Sequence, residues 1–131
     1  PLNEVEGTKT PDYVSGYDMT LNNLTPADVV PGKVGNAFSF SNTRQTLLSY
    51  VSAPGDQIPI NQHPAATVAF WAQVDGPGFI DGVPKVDLRL YSEGNTLNGN
   101  PLFNLGTHNT GADGSVDLFF RQTAGGDNLG T

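Results

Sequence analysis

The stretch Ala66-Thr67-Val68-Ala69-Phe70-Trp71-Ala72-Gln73-Val74, read with the earlier Val34-Gly35-Asn36-Ala37-Phe38-Ser39-Phe40-Ser41, decides the fold class. Both alternate with period two, the pattern of a strand that buries one face. In the earlier stretch Asn36, Phe38 and Phe40 share a face and Ala37, Ser39 and Ser41 take the other. In the later one Val68, Phe70, Ala72 and Val74 line one face, so Trp71 points the opposite way with Thr67, Ala69 and Gln73. A large aromatic opposite an aliphatic row is either covered by a second layer or offered to a ligand.

Working outward, the composition agrees with sheet. Sixteen Gly, ten Pro and few Lys or Glu disfavour helix, while Val, Phe, Tyr and Thr fill the stretches between turns. At 131 residues the length predicts a single domain, able to bury roughly two-thirds of its unfolded surface. A net charge of −7 with six scattered Lys and Arg argues against nucleic acid, whose phosphates need clustered cations. The absence of cysteine excludes disulfides, thiolate zinc sites and thiol nucleophiles. No apolar run reaches the length of a membrane helix, so no membrane span is expected.

Turn residues then partition the chain. Short strands are expected on either side of the loop Gly7–Asp18, the second including Met19-Thr20-Leu21. Strands follow over Lys33–Ser41, Thr46–Val51, Ala66–Val74 and Lys85–Ser92. Leu102–Gly106 and Val116–Gln122 read as a hairpin with a long Gly/Asn/Asp connection. The tail Thr123–Thr131 is Gly-rich and holds no closing apolar strand, so the sheet is expected to continue beyond Thr131.

Pro1-Leu2-Asn3-Glu4 with Gly7-Thr8, then Ser15-Gly16, then Pro31-Gly32-Lys33-Val34-Gly35-Asn36-Ala37-Phe38-Ser39-Phe40, then Thr67-Val68-Ala69-Phe70-Trp71 follow one another in this order. The series resembles the laminin-G-like (concanavalin A-like) jelly-roll domains of bacterial surface and secreted proteins. Leu90-Tyr91-Ser92-Glu93-Gly94 and Asn100-Pro101-Leu102-Phe103-Asn104-Leu105-Gly106 extend the likeness to about Arg121. The family continues with a Trp-His strand and a later strand ending in an Asp-Gly turn. Neither follows Arg121, so the chain is expected to be the N-terminal portion of such a domain. The resemblance implies an antiparallel two-sheet jelly-roll sandwich, a place outside the cell or on its surface, and carbohydrate or protein binding, sometimes with Ca²⁺.

Extending the face assignment puts Val86, Leu88 and Leu90 opposite Asp87, Arg89 and Tyr91, and Val116, Leu118 and Phe120 opposite Asp117, Phe119 and Arg121. The expected core is Phe38, Phe40, Val68, Phe70, Leu88, Leu90, Leu118 and Phe120. The other face gathers Trp71, Gln73, Asp87, Arg89, Tyr91, Asp117, Phe119 and Arg121. Flat rings among carboxylate, amide and guanidinium groups suit a sugar, which offers apolar ring faces to stack and hydroxyls to bond. The alternative is that further strands or a long loop cover Trp71 and Phe119.

Glu4, Asp12 and Asp18 could supply hard oxygen ligands for Ca²⁺, although no EF-hand spacing is present and Asp in loops is also an ordinary turn former. His63 and His108 have no partner at metal-ligand spacing and read as loop residues. No G-x-S-x-G elbow occurs, and the three Glu, at positions 4, 6 and 93, form no glucanase-like acidic array. The chain is therefore expected to be a binding module with no catalytic residues. Polysaccharide or glycan is the leading partner. Self-assembly or protein partners through exposed sheet edges is the alternative. The sequon Asn23-Leu24-Thr25 is assigned no role.

Overall fold

The computed structural model describes residues 2–41, 43–54, 56, 63–73, 78–80, 83–85, 89–94, 102–107 and 116–121. The chain divides into two compact units, Pro1–Asp56 and Gln57–Thr131. The strands in order are β1 Lys9–Thr10, β2 Met19–Asn22, β3 Val29–Pro31, β4 Asn36–Phe38, β5 Leu47–Ser49, β6 Gly78–Ile80, β7 Val83–Lys85, β8 Arg89–Gly94, β9 Leu102–Thr107 and β10 Val116–Arg121. Among the described residues every strand pairing is antiparallel. The described residues hold no α-helix, only a 3₁₀ turn over Pro26–Asp28. The chain is all-β, as its composition predicts.

In the first unit β1, β2 and β5 form one sheet with β2 in the middle, registered Thr10 to Met19 on one side and Leu21 to Leu48 on the other. The loop between β1 and β2 is organised by Asp12. Its carboxylate accepts the N–H of Val14 at 3.0 Å and those of Ser15 and Tyr17 at 3.3 Å, and Gly16 takes a φ of +74° to close the turn. β3 and β4 form a hairpin whose turn spends Gly32–Gly35. The Gly32 N–H donates to the Gly35 carbonyl at 2.9 Å, and Gly35 has φ +64°. A Cβ on Gly32 would lie 3.0 Å from the Asn36 backbone, so the close approach requires glycine there.

That turn corrects the expected strand Lys33–Ser41. Only Asn36–Phe38 pair, because the residues before them make the turn and Ser41 begins another. Ser41 N–H donates to Thr46 Oγ1 at 2.6 Å and Thr46 N–H to the Ser41 carbonyl at 3.1 Å. The period-two pattern therefore stops at Phe38, and the two phenylalanines part. Phe38 is 7% exposed and, with Leu24, makes the apolar core of this unit, whereas Phe40 is 53% exposed.

A polar clasp stands beside that core. Asp28, nearly buried, accepts from the Thr25 N–H at 2.8 Å, the Thr25 hydroxyl at 3.0 Å and Arg44 Nη1 at 3.1 Å, and its other oxygen pairs with Arg44 Nη2. The Arg44 guanidinium, aided by the Thr25 bonds, holds this carboxyl well below the usual carboxylate range. Asn23, at φ +55°, donates to the Arg44 carbonyl at 3.0 Å. The Asn23-Leu24-Thr25 triplet is thus spent on the fold, with Leu24 in the core between two bonded side chains.

In the second unit β6 and β7 form a hairpin, and β8, β9 and β10 form a sheet with β9 in the middle. The hairpin expected over Leu102–Gln122 is present as β9 and β10, registered from Leu102 opposite Arg121 to Thr107 opposite Val116. The strand expected over Ala66–Val74 is a correction. The described part, 66–73, joins no ladder. Its alternation is sound, but a ladder also needs a partner strand at matching register, which the pattern of one segment does not specify. Of the expected core in this unit, Val68 and Leu90 are half-buried while Phe70 and Leu118 are exposed; Leu88 lies outside the described residues.

Candidate functional site

The segment around Trp71, although it adds no strand, meets the β8–β9 sheet. Val68, Ala69, Phe70, Trp71 and Ala72 on one side, with Leu90 of β8 and Leu105 of β9 on the other, line a groove of about 620 Å³. Trp71 is 75% exposed and Phe70 43%. Apart from the indole N–H, these side chains offer neither charge nor hydrogen-bonding group. The groove is an apolar slot with an aromatic lip.

A β-bulge sets what stands around it. Arg89 lies opposite Gly106 and Tyr91 opposite Leu105, so two steps along β8 correspond to one along β9. Side chains alternate across the sheet with each step of register, and Arg89 and Tyr91 therefore occupy opposite faces. This corrects the expectation that both belong to one platform. Tyr91 shares its row with Leu105 and Leu118, whereas the Arg89 row continues through Gly106 to Asp117.

Tyr91 is half-buried, its ring edge-on to Phe103 with centroids 5.9 Å apart, and its hydroxyl donates to the Glu93 carboxylate. Burial, with the Glu93 bond second, pushes its phenol well above the usual tyrosine range. Such a ring braces the sheet. It does not line the groove. Phe119 is registered opposite Asn104 and Arg121 opposite Leu102, and Gln73 is exposed two residues beyond Trp71. Asp87 lies outside the described residues. Of the platform residues whose side chains the structure describes, Trp71 lines the groove and Gln73, Arg89 and Tyr91 do not, and Phe70, Leu90 and Leu105 join it unforeseen by the sequence pattern. Their aliphatic and aromatic character matches core residues equally well, and only the bulge and the absent ladder expose the difference.

Asn104, in the middle of β9, is 8% exposed, and its Oδ1 is a buried acceptor without a hydrogen-bond partner. A neighbouring register step separates it from Leu105, which places it on the face away from the groove.

The carboxylates proposed for Ca²⁺ are engaged in the first unit. Asp12 is held below its ordinary value chiefly by the Val14 N–H, and its own N–H donates to Asp18 Oδ1 at 2.9 Å. Glu4 accepts the Tyr13 hydroxyl at 2.5 Å, and this bond, with burial and Glu6, pushes the Tyr13 phenol up to about 12. Among the described residues no three His, Asp or Glu side chains gather as a metal would require. His63 is an exposed loop residue, and His108 lies outside the described residues. No helix of the described residues is long and apolar enough to cross a membrane.

No family model, curated protein or solved structure matches the chain.

Proposed function

We propose that this chain is a non-catalytic binding module that recognises carbohydrate, with Trp71 as the ring on which a sugar stacks. One observation carries the reading: the chain's single Trp is three-quarters exposed at the lip of an apolar groove. Isolated exposed apolar residues are ordinary, but Trp71 adjoins exposed Phe70 beside a concave surface, and contiguous apolar surface of that kind marks binding sites. A sugar ring offers an apolar face of matching size. The laminin-G-like jelly-roll sandwich, and the extracellular place that goes with it, belong to this proposal on the strength of the sequence motifs.

The test is retention on immobilised polysaccharides, comparing the chain with Trp71→Ala. The proposal expects binding that the substitution removes while the β signature in circular dichroism stays. Binding unaffected by the substitution refutes it. A second reading, a module that docks on another protein, draws on the apolar groove lining and on exposed Leu118 in the same sheet.

A further inference from the structure

We infer that the glycan suited to this groove is a neutral chain of pyranoses whose ring substituents are equatorial, bound by its flat faces and not by its charge. The inference rests on the carbohydrate reading above and narrows it to a chemical class. Two independent observations point the same way. The first is the groove lining: Val68, Phe70, Trp71, Leu90 and Leu105 contribute apolar surface and no charged group. A sugar entering it gains most where it brings C–H surface to these side chains. Equatorial hydroxyls radiate outward from the ring edge and leave both faces apolar, so they remain in water while the faces are covered. An axial hydroxyl on a covered face would lose its hydration against a described lining whose side chains, the Trp71 indole apart, hold no hydrogen-bonding group.

The second observation is charge. The chain carries −7, from thirteen acidic and six basic residues, so a uronate or sulfate chain approaches a like-charged protein. Of the cations expected to bond sugar hydroxyls, Arg89 is the one whose side-chain exposure the structure describes. The bulge sets it on the face opposite Tyr91 and Leu105, away from the lining. A carboxylate on the sugar would therefore meet neither a guanidinium in the described lining nor a favourable long-range field. Recognition by apolar faces is also insensitive to salt, which screens charge but not burial.

The experiment uses the whole chain in isothermal titration and affinity electrophoresis against pairs of polymers that differ in one property. Hydroxyethyl cellulose and carboxymethyl cellulose share an all-equatorial β-linked backbone and differ in charge. Mannan and galactan are neutral and carry an axial ring oxygen, at C2 and at C4 respectively. The expected result is binding to hydroxyethyl cellulose that changes less than about twofold between low and physiological salt. Carboxymethyl cellulose should bind at least about tenfold more weakly at low salt, with the gap narrowing as salt rises, and the axial polymers should bind more weakly than hydroxyethyl cellulose. Equal or tighter binding to the anionic partner, a steep loss of affinity with salt, or a preference for the axial polymers overturns the inference while leaving carbohydrate binding through Trp71 intact. No binding to any of the four polymers overturns both.

Discussion

Replacing Trp71 by Ala is expected to lower stability by only about 1 kcal/mol. A fully buried Trp removes roughly 150–250 Å² from water. With the ring 75% exposed, only a quarter of that area, roughly 40–60 Å², is covered by the protein. At about 25 cal/mol per Å² the loss is about 1–1.5 kcal/mol, and the open groove leaves no sealed cavity to add to it. A Trp packed in an inter-sheet layer would cost about 3–5 kcal/mol on the same change. Urea unfolding followed by far-ultraviolet circular dichroism separates the two, since the substitution removes the fluorophore but not the sheet signal. With a urea dependence of about 1–3 kcal/mol/M, the midpoint should fall by roughly 0.3–1.5 M with an unchanged slope. A loss of 3 kcal/mol or more, or a collapsed β signature, would show that Trp71 is a core ring and refute the argument that it is offered to a ligand.

Other outcomes follow from the first unit. Phe38→Ala, at a position 7% exposed, should cost about 3–5 kcal/mol by thermal or urea unfolding, and Phe40→Ala, half-exposed, clearly less. Gly35→Ala places a side chain at φ +64° and should cost about 1–2 kcal/mol, read as a lowered melting temperature. Asp12, Asp28 and Asp56 all have folded values depressed below the ordinary 3.8. The unfolded chain therefore binds more protons in acid, so their contribution is complete above about pH 4 and is lost as pH falls through the folded values. Arg44→Gln should flatten the Asp28 part of that acid limb in a pH series of unfolding curves. Tyr13 and Tyr50, raised from 10.0 to about 12 by their bonds to Glu4 and Asp56, contribute stability below pH 10 that disappears as pH rises toward 12. Spectrophotometric titration of the folded chain should show both phenols ionising late, and ionisation near 10 would contradict the bonds.

The fold was legible where a strand's alternation ran unbroken into turn residues. The β9–β10 hairpin is the clear case, since Phe103 and Leu105 then Leu118 and Phe120 keep one parity across a long Gly/Asn/Asp connection. Alternation failed where another determinant held the backbone. The Gly32–Gly35 turn took the first third of the expected strand, because a close approach and a positive φ are conditions that period two does not encode. Ala66–Val74 alternates well, yet a ladder needs a partner at the right register, and nothing in one strand's sequence specifies its neighbour. The bulge at Leu90 inverted the face of Tyr91 relative to Arg89 through a single unpaired residue. Trp71 was recognisable as the residue to watch from its parity alone. Its groove was not, because Phe70, Leu90 and Leu105 are residues a core would also use. The Asp28–Arg44 clasp joins positions 16 apart with no local pattern to announce it.

The central claim is that Trp71 stands open and is covered by a glycan. Because it is the chain's single Trp, acrylamide quenching of its fluorescence reads that one ring. The free chain should be quenched efficiently, with emission like that of indole in water. Adding a cello-oligosaccharide should move the emission to the blue and protect the ring in proportion to occupancy. Emission already blue and resistant to acrylamide before any sugar is added, or quenching that no glycan alters at any concentration, would contradict it.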